Sequence, residues 1–190
     1  MICQSCNKLS FSIICKKCQA TLLEPEFHKK ELKKDFFVYS FYEYEQIEDL
    51  LQSKYHFHGD RVFNILAKLS FAKFASNFTF LFPIYSISID DHTRHDFSQT
   101  AILNNHLKSP FIKPIFNSLK ASNIVKYAGK NLEFRQKNPR KFVYNGQKNI
   151  KVILVDDIIT TGSTILEAKK VLEENSVEVL FALTLAYFKN

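Results

Sequence analysis

The clearest hydrophobic pattern in the chain is an unbroken apolar block, Val152 to Val155, that stops at two acidic residues. A short run without polar alternation is typical of a central strand buried on both faces of a parallel sheet. A turn rich in Thr and Ser follows, and a helical pattern then covers Ser163–Asn175. An apolar stretch, Val177–Tyr187, predicts the next strand.

Other elements follow from the same periodicities. Helical spacing predicts helices at Gln46–Tyr55, Asp60–Phe74 and Phe97–Leu107. Aromatic and β-branched runs predict strands at Phe36–Tyr44, Phe78–Phe82 and Ile112–Leu119, with a polar connector over 21–34 and a polar connection over 85–99. Strand, helix and strand in succession imply right-handed crossovers. The sequence therefore predicts an α/β fold with a mostly parallel sheet flanked by helices.

Four cysteines, and no others, lie near the N-terminus with the spacing C-x₂-C-x₈-C-x₂-C; they are Cys3, Cys6, Cys15 and Cys18. Two Cys-x-x-Cys knuckles can complete a tetrahedral S₄ zinc site, and nearby lysines favour thiolates. Two disulfides would need an oxidising compartment, and an iron site or a redox dithiol is a further alternative. We predict structural zinc, since no cysteine is left for an open catalytic position.

The 190 residues suffice for one ordinary domain and a small appendage. We predict a zinc ribbon over 1–22, a connector and β-prone segment over 23–45, and the main domain over 46–190. No basic-then-apolar leader begins the chain, and its longest apolar run, Val177–Phe188, is too short to span a bilayer. The sequence thus predicts a soluble, cytoplasmic protein without a transmembrane segment.

The net charge of +7 is concentrated in residues 126–151, the basic segment, where eight lysines and arginines face Glu133 alone. Aromatic residues, including Tyr127 and Phe134, alternate with them. This pattern predicts contact with single-stranded DNA, whose phosphates and bases suit charge and stacking. A solvated loop, or one that serves only a phosphorylated ligand, is the alternative. The candidate nucleic-acid-binding residues are Lys126, Lys130, Arg135, Lys137, Arg140 and Lys141.

Residues 151–164, KVILVDDIITTGST, carry the candidate chemistry. The turn offers amides and hydroxyls to a phosphate, and the dipole of the following helix adds to that attraction. The acidic residues can accept hydrogen bonds from ribose hydroxyls or face Mg²⁺. A P-loop is excluded because its lysine and glycine spacing are missing. The alternative is a buried strand with an acidic turn and a helix cap. The candidate residues are Asp156, Asp157, Thr160, Thr161, Gly162, Ser163 and Thr164.

The segment VILVDDIITTGST resembles the thirteen-residue 5-phosphoribosyl 1-pyrophosphate (PRPP) motif of type I phosphoribosyltransferases. The resemblance implies that the two acids meet ribose hydroxyls, directly or through Mg²⁺, and that the loop binds the 5′-phosphate. It also implies a phosphoribosyltransferase-like domain over 46–190.

A more specific resemblance is to the competence-associated ComF family, including its N-terminal cysteine pairs. The Phe82–Tyr85 run (FPIY) and the later His95–Gln99 run (HDFSQ) stand where that family has Val-Pro-Val-Pro and Arg-Gly-Phe-Asn-Gln. Residues 134–142, FRQKNPRKF, resemble its Arg-x-x-Asn followed by Phe. The resemblance implies a pyrophosphate loop here with Arg94 and His95. His95 is a candidate general acid; the alternative interpretation is a solvent-exposed histidine without a catalytic role.

The resemblances imply three functions. The first is a ComF-like protein of natural transformation that binds PRPP, Mg²⁺ and single-stranded DNA at the cytoplasmic face of the membrane, with competence-machinery proteins as partners. The second is an enzyme that transfers phosphoribose from PRPP to an amine or base, with Asp156 and Asp157 as catalytic residues. The third is a regulator that only senses PRPP or ribose 5-phosphate.

Overall fold

The computed structural model describes residues 1–89, 97–123 and 140–189, in which strands and helices are mixed. Its helices are α1 (Lys16–Thr21), α2 (Tyr44–Gln52), α3 (Gly59–Leu69), α4 (Phe71–Asn77), α5 (Gln99–Asn105) and α6 (Ser163–Glu174). A short 3₁₀ turn covers Ser53–Tyr55. Its strands are β1 (His28–Lys33), β2 (Phe36–Glu43), β3 (Ile84–Ser88), β4 (Ile112–Ile115), β5 (Leu119–Ala121), β6 (Phe142–Tyr144), β7 (Ile150–Ile159) and β8 (Val177–Tyr187).

Six strands form one sheet in the order β1-β2-β8-β7-β3-β4. Each neighbouring pair from β2 to β4 is parallel, whereas the edge strand β1 runs antiparallel to β2. Strands β5 and β6 form a separate antiparallel pair. The predicted α/β fold with a mostly parallel sheet is therefore confirmed.

Strand β7 lies inside the sheet, between β8 and β3. Val152 and Leu154 pack into the apolar cluster that contains α6, while Ile153 and Val155 pack into the cluster on the other face with α3 and α5. All four side chains are fully buried. Burial on both faces explains the unbroken apolar pattern, because each such side chain contributes roughly 2 kcal/mol when it leaves water.

Several predicted elements are confirmed with small shifts at their ends. Strand β8 has the predicted bounds, α6 ends one residue early, and β2 lies within the predicted strand at 36–44. Helices α2 and α5 fall in the predicted positions. The long helix predicted at 60–74 is two helices, because Ser70 leaves helical geometry and its hydroxyl bonds back to Leu66 O at 2.7 Å.

The prediction of a strand at Phe78–Phe82 is wrong. The prediction of a polar connection is wrong for its first residues, which belong to β3. Strand β3 begins after Pro83 instead, and the amide of Ile84 donates to Phe111 O at 2.9 Å. Proline cannot donate to a strand ladder, so the chain pairs only beyond it. Ser86 and Ser88, which fall within the predicted polar connection, are buried in the sheet.

Two further predictions change in detail. The strand predicted at 112–119 divides into β4 and β5, which belong to different sheets. The connector predicted at 21–34 contains β1, which pairs with β2 through residues of alternating burial. Near the N-terminus, Cys3, Ile14 and Cys18 lie in the same apolar cluster as α3. None of the helices in the described ranges has the length and apolar character needed to cross a membrane.

Candidate functional site

The acid pair, Asp156 and Asp157, lies in the last part of β7, just beyond its fully buried block. Asp156 still pairs with Thr184 of β8, and the strand continues to Ile159. Both residues are partly buried, and the amide of Asp157 donates to Asp156 Oδ1 at 2.9 Å. The carboxyl ends of parallel strands form one edge of the sheet, which is where ligands bind in such folds.

Asp157 forms an ion pair that the sequence did not predict. Lys54 Nζ lies 2.9 Å from Asp157 Oδ2, and both side chains are mostly buried, with 19% and 14% of their surface exposed. Gln99 Nε2 lies 3.5 Å from the same oxygen. Gln99 belongs to the run that carries the ComF resemblance, which was a usable signal, whereas nothing in the local sequence marked Lys54.

The two carboxyls of the acid pair have pKa values shifted in opposite directions. Burial and the adjacent charge of Asp157 raise the pKa of Asp156, against the smaller effects of the Asp157 amide and of Arg140. Burial also acts to raise the pKa of Asp157, but the charge and hydrogen bond of Lys54 outweigh it and hold that pKa below its usual value. The pair therefore combines one firmly ionised carboxylate with one that resists ionisation.

The TTGST loop (160–164) joins β7 to α6 through a glycine in a left-handed conformation. Gly162 has φ +80° and precedes the first residue of a twelve-residue helix. The amide of Ser163 donates to Thr161 Oγ1 at 3.4 Å, and the Thr161 hydroxyl donates to Ser163 Oγ at 3.2 Å. Hydroxyls and the amino end of a helix therefore occur together, as the sequence predicted, and this combination suits an anion.

Strand β1 lies against the TTGST loop, a contact that the sequence did not predict. Lys30 Nζ donates to the carbonyl oxygen of Thr160 at 3.3 Å. A Cβ placed on Gly162 would lie 2.5 Å from Leu32 Cδ1 and 2.6 Å from Cδ2. The left-handed φ favours glycine at position 162, and the Leu32 side chain would have to move to admit a Cβ there. The edge hairpin thus helps to set the shape of the loop.

A magnesium ion bound to Asp157 Oδ2 does not fit this arrangement of side chains. The Lys54 ammonium occupies the position on Asp157 Oδ2 that such a cation would take. Mg²⁺ needs oxygen ligands at about 2.0–2.1 Å in octahedral geometry and holds its waters tightly. An ammonium and a hydrated divalent cation cannot share one carboxylate oxygen at close range, since their charges repel.

The predicted pyrophosphate-loop residues Arg94 and His95 lie outside the described residues. The same holds for four of the predicted nucleic-acid-binding residues, Lys126, Lys130, Arg135 and Lys137. Arg140 is half-buried and Lys141 is exposed. Their backbone amides donate to the Glu167 carboxylate of α6, at 3.1 Å to Oε2 and 2.8 Å to Oε1. Main-chain hydrogen bonds therefore hold this part of the basic segment against the helix that follows the TTGST loop.

The four cysteine sulfurs come together, each within 4.8 Å of the others. Sulfurs around a tetrahedral zinc, with Zn–S bonds of about 2.3 Å, lie nearly 4 Å apart; Cys6 and Cys15 Sγ are 3.9 Å apart here. Backbone amides point at the sulfurs, with Cys15 N donating to Cys3 Sγ at 3.2 Å. The cluster therefore fits a structural zinc ion, which Cys3, Cys6, Cys15 and Cys18 would hold.

The thiol pKa values differ sharply within this cluster. Burial acts to raise the pKa of Cys3, but several hydrogen bonds, first that of the Cys15 amide, lower it to about 6. A hydrogen bond with Ser5 acts to lower the pKa of Cys18, but burial and the three neighbouring thiols raise it to about 12. Four crowded sulfurs cannot all carry a negative charge unless a cation joins them, which is the condition that zinc satisfies.

Comparison with known proteins gives weak similarity. No protein-family model and no curated protein matches the chain. Among solved structures, a UMP synthase of Leishmania donovani matches with TM-score 0.39 and 16% identity over 66% of this chain and 22% of its own. A hypoxanthine phosphoribosyltransferase of Staphylococcus aureus matches with TM-score 0.40 and 15% identity over 66% and 62%. The chain spans less than two thirds of either protein, and similarity at this level identifies no activity.

Proposed function

We propose that this chain binds PRPP or ribose 5-phosphate through the acid pair and the TTGST loop. The observation that carries the proposal is the end of β7, where two neighbouring carboxylates are followed by a hydroxyl-rich loop that opens α6 through a left-handed glycine. The loop suits a phosphate dianion, and the carboxylates suit hydroxyl donors. Three residues of extended chain from Asp157 to Thr160 cover roughly 10 Å, the scale of a sugar phosphate.

In this proposal Asp156 and Asp157 accept hydrogen bonds from the two neighbouring ribose hydroxyls. The 5′-phosphate is bound by residues of the loop, which are Thr160, Thr161, Gly162, Ser163 and Thr164. Mg²⁺ is a cofactor that arrives on the pyrophosphate oxygens of PRPP, where its charge offsets that of the ligand. Arg94 and His95 are proposed to meet the same pyrophosphate.

We further propose a ComF-like role in natural transformation, with single-stranded DNA and competence-machinery proteins as partners at the cytoplasmic face of the membrane. The motif resemblance and the confinement of excess positive charge to the basic segment support it. The contact of the Arg140 and Lys141 amides with Glu167 adds support, because it brings this part of the segment beside α6. DNA bound there would lie next to the sugar-phosphate site.

The second candidate function is phosphoribosyl transfer from PRPP to an amine or base. The ion pair of Lys54 with Asp157 favours it, since it fixes the Asp157 carboxylate in one position, where it can orient the ribose hydroxyls. Holding the ribose in one orientation lowers the barrier to breaking the bond from C1 to pyrophosphate while the new bond from C1 to the amine or base forms. Asp157 would then contribute to catalysis as well as to binding.

Calorimetry with PRPP and Mg²⁺ tests the proposal. We expect binding by the wild-type chain and loss of binding in Asp157→Ala, whereas Asp49→Asn, an exposed acid on α2, binds as the wild type does. No heat from PRPP or ribose 5-phosphate would refute the proposed ligand. Repeating the titration with a labelled single-stranded oligonucleotide shows whether the two ligands couple. Release of pyrophosphate in the presence of candidate amines would favour the enzyme over the binding protein.

A further inference from the structure

Lys54 approaches the acid pair from outside the β7–α6 unit. It lies in the 3₁₀ turn Ser53–Tyr55, between α2 and α3, and is 103 positions from Asp157 in the chain. The turn is anchored on its inner side, because Ser53 is buried and its hydroxyl donates to Leu50 O at 2.5 Å. The amide of His56 donates to Ser53 O at 2.8 Å. The backbone that carries Lys54 is therefore fixed in position.

The start of α3, which follows the turn in the chain, packs closely against it. A Cβ on Gly59 would lie 2.3 Å from Ser53 O and 2.7 Å from the Phe97 ring. Helix α3 thus begins in direct contact with the turn, and Phe97 lies just ahead of the α5 residue Gln99. Lys54 and Gln99 reach Asp157 Oδ2 from two separate elements, each of which lies against α3. The ammonium is consequently held at the carboxylate by the fold rather than by a chance surface contact.

The acid pair already has a positively charged partner, the Lys54 ammonium. Asp157 Oδ2 receives both the Lys54 ammonium and the Gln99 amide, while Asp156 Oδ1 receives the Asp157 amide. Each carboxylate has a second oxygen, and those two oxygens can accept the hydroxyls of a ribose. A divalent cation on the remaining oxygen of Asp157 would lie within a few ångströms of the mostly buried Lys54 ammonium, and the repulsion between the two charges would oppose its binding in this desolvated position.

We propose that Lys54 is a built-in counter-ion of the acid pair that keeps divalent cations off Asp157, so that these carboxylates meet the ribose hydroxyls directly. The exclusion of metal follows from the ion pair itself. The contact with ribose rests on the proposed function. Lys54 is thus a positioning residue that replaces the metal at one end of the site, and Mg²⁺ belongs to the pyrophosphate end.

The first experiment measures binding of Mn²⁺, alone, to the zinc-loaded chain by electron paramagnetic resonance. We expect no Mn²⁺ at Asp157 in the wild type and one new site in Lys54→Met that is lost in Lys54→Met/Asp157→Asn. Lys54→Arg, which keeps the charge, and Lys68→Met, an exposed lysine on α3, should behave as the wild type. Mn²⁺ bound by the wild type and lost in Asp157→Asn would overturn the proposal, and this comparison needs no variant of Lys54.

The second experiment titrates ribose 5-phosphate, which has no pyrophosphate, in EDTA and in Mg²⁺. We expect the wild-type affinity to be equal within about twofold in the two buffers, because one charge-assisted contact more or less would change it about tenfold. Lys54→Met should lose about tenfold in EDTA and recover part of that in Mg²⁺. Wild-type binding that requires Mg²⁺ would refute the inference. Wild-type binding in neither buffer would exclude ribose 5-phosphate as the ligand and, if PRPP also fails to bind, would refute the proposed function, whereas the Mn²⁺ result would still decide the role of Lys54.

Discussion

Lys30 Nζ donates a hydrogen bond to the carbonyl oxygen of Thr160, so that the edge strand β1 holds the first residue of the TTGST loop across 130 positions of sequence. The contact joins the antiparallel edge strand β1 to the loop that follows the acid pair. It implies that the loop takes its shape from the hairpin as well as from β7 and α6.

Replacing Lys30 should therefore loosen the loop without unfolding the chain. We expect Lys30→Met to weaken ribose 5-phosphate binding several-fold, since the lost hydrogen bond is worth about 1 kcal/mol. Lys29→Met is the matched control, because Lys29 is exposed and lies over the Phe37 ring, 3.8 Å from its centroid, instead of reaching the loop. Calorimetry on both variants, with urea unfolding as a check, tests this; equal affinity in the two variants would contradict it.

Gly162→Ala should lower the free energy of unfolding of the chain. The left-handed φ costs about 1 kcal/mol for alanine, and the clash with Leu32 adds to that cost. Leu32→Ala alone is the control, because it removes the neighbouring side chain and keeps the glycine. Urea unfolding measures the effect. The double variant Gly162→Ala/Leu32→Ala should recover the steric part alone, and full additivity of the two changes would show that the contact is unimportant.

The acid pair predicts opposite pH effects for its two members in the ligand-free chain. The pKa of Asp157 is lowered by folding, so its stabilisation is present above the ordinary carboxyl pKa and is lost as pH falls through the lower folded value. The pKa of Asp156 is raised, so its ionisation costs stability as pH rises from the ordinary carboxyl value through the raised one.

At pH 7, Asp157→Asn should lower the free energy of unfolding by about 2 kcal/mol, because Lys54 loses its partner. Asp156→Asn should raise it, because a carboxyl that resists ionisation is removed. The Asp156 difference should shrink toward pH 4, whereas the Asp157 difference should shrink only at lower pH, as the carboxylate becomes protonated in the folded chain. Urea unfolding from pH 2 to pH 8 tests the prediction, and two variants that change stability in the same direction at pH 7 would contradict it.

The cysteine cluster predicts one zinc ion per chain. Metal analysis of protein purified without chelator checks the ratio. Cys18→Ser should lose the metal and lower the melting temperature by several degrees, since each 1 kcal/mol shifts it by about 2–4 °C in a chain of this size. Cys3 and Cys18 are buried beside Ile14, so loss of zinc should loosen that part of the apolar cluster. Unchanged stability after complete removal of zinc would argue against a structural role.

The basic segment predicts salt-sensitive binding of single-stranded DNA. We expect Lys137→Glu/Lys141→Glu to weaken binding of labelled oligo-dT at least tenfold at low salt and to lower the salt slope by about 1.4, because two phosphate contacts are lost. Lys170→Glu is the control; Lys170 is exposed on α6 and pairs with Glu174. Arg140 is left unchanged because it acts electrostatically on Asp156. Fluorescence anisotropy measures the effect, and unchanged affinity would show that DNA binds elsewhere.

What the sequence determined by itself is local and strongly patterned. The buried strand of β7, the following helix and β8 could be predicted because burial on two faces leaves an unbroken apolar run. The acid pair and the TTGST loop could be predicted because their chemistry lies within nine consecutive residues, Asp156–Thr164. The cysteine cluster could be predicted because metal ligands keep a fixed spacing.

Only the tertiary structure decided which distant residues complete the site. Lys54, Lys30 and Leu32 have ordinary neighbours in the sequence, and each acquires a role only because the fold brings it against Asp157, Thr160 or Gly162. Ser86 and Ser88 likewise joined a buried strand against their polar type. A periodic pattern records which face of an element is apolar, but it does not record which element lies opposite. The charge balance of the acid pair depends on which element lies opposite it, because that element supplies Lys54.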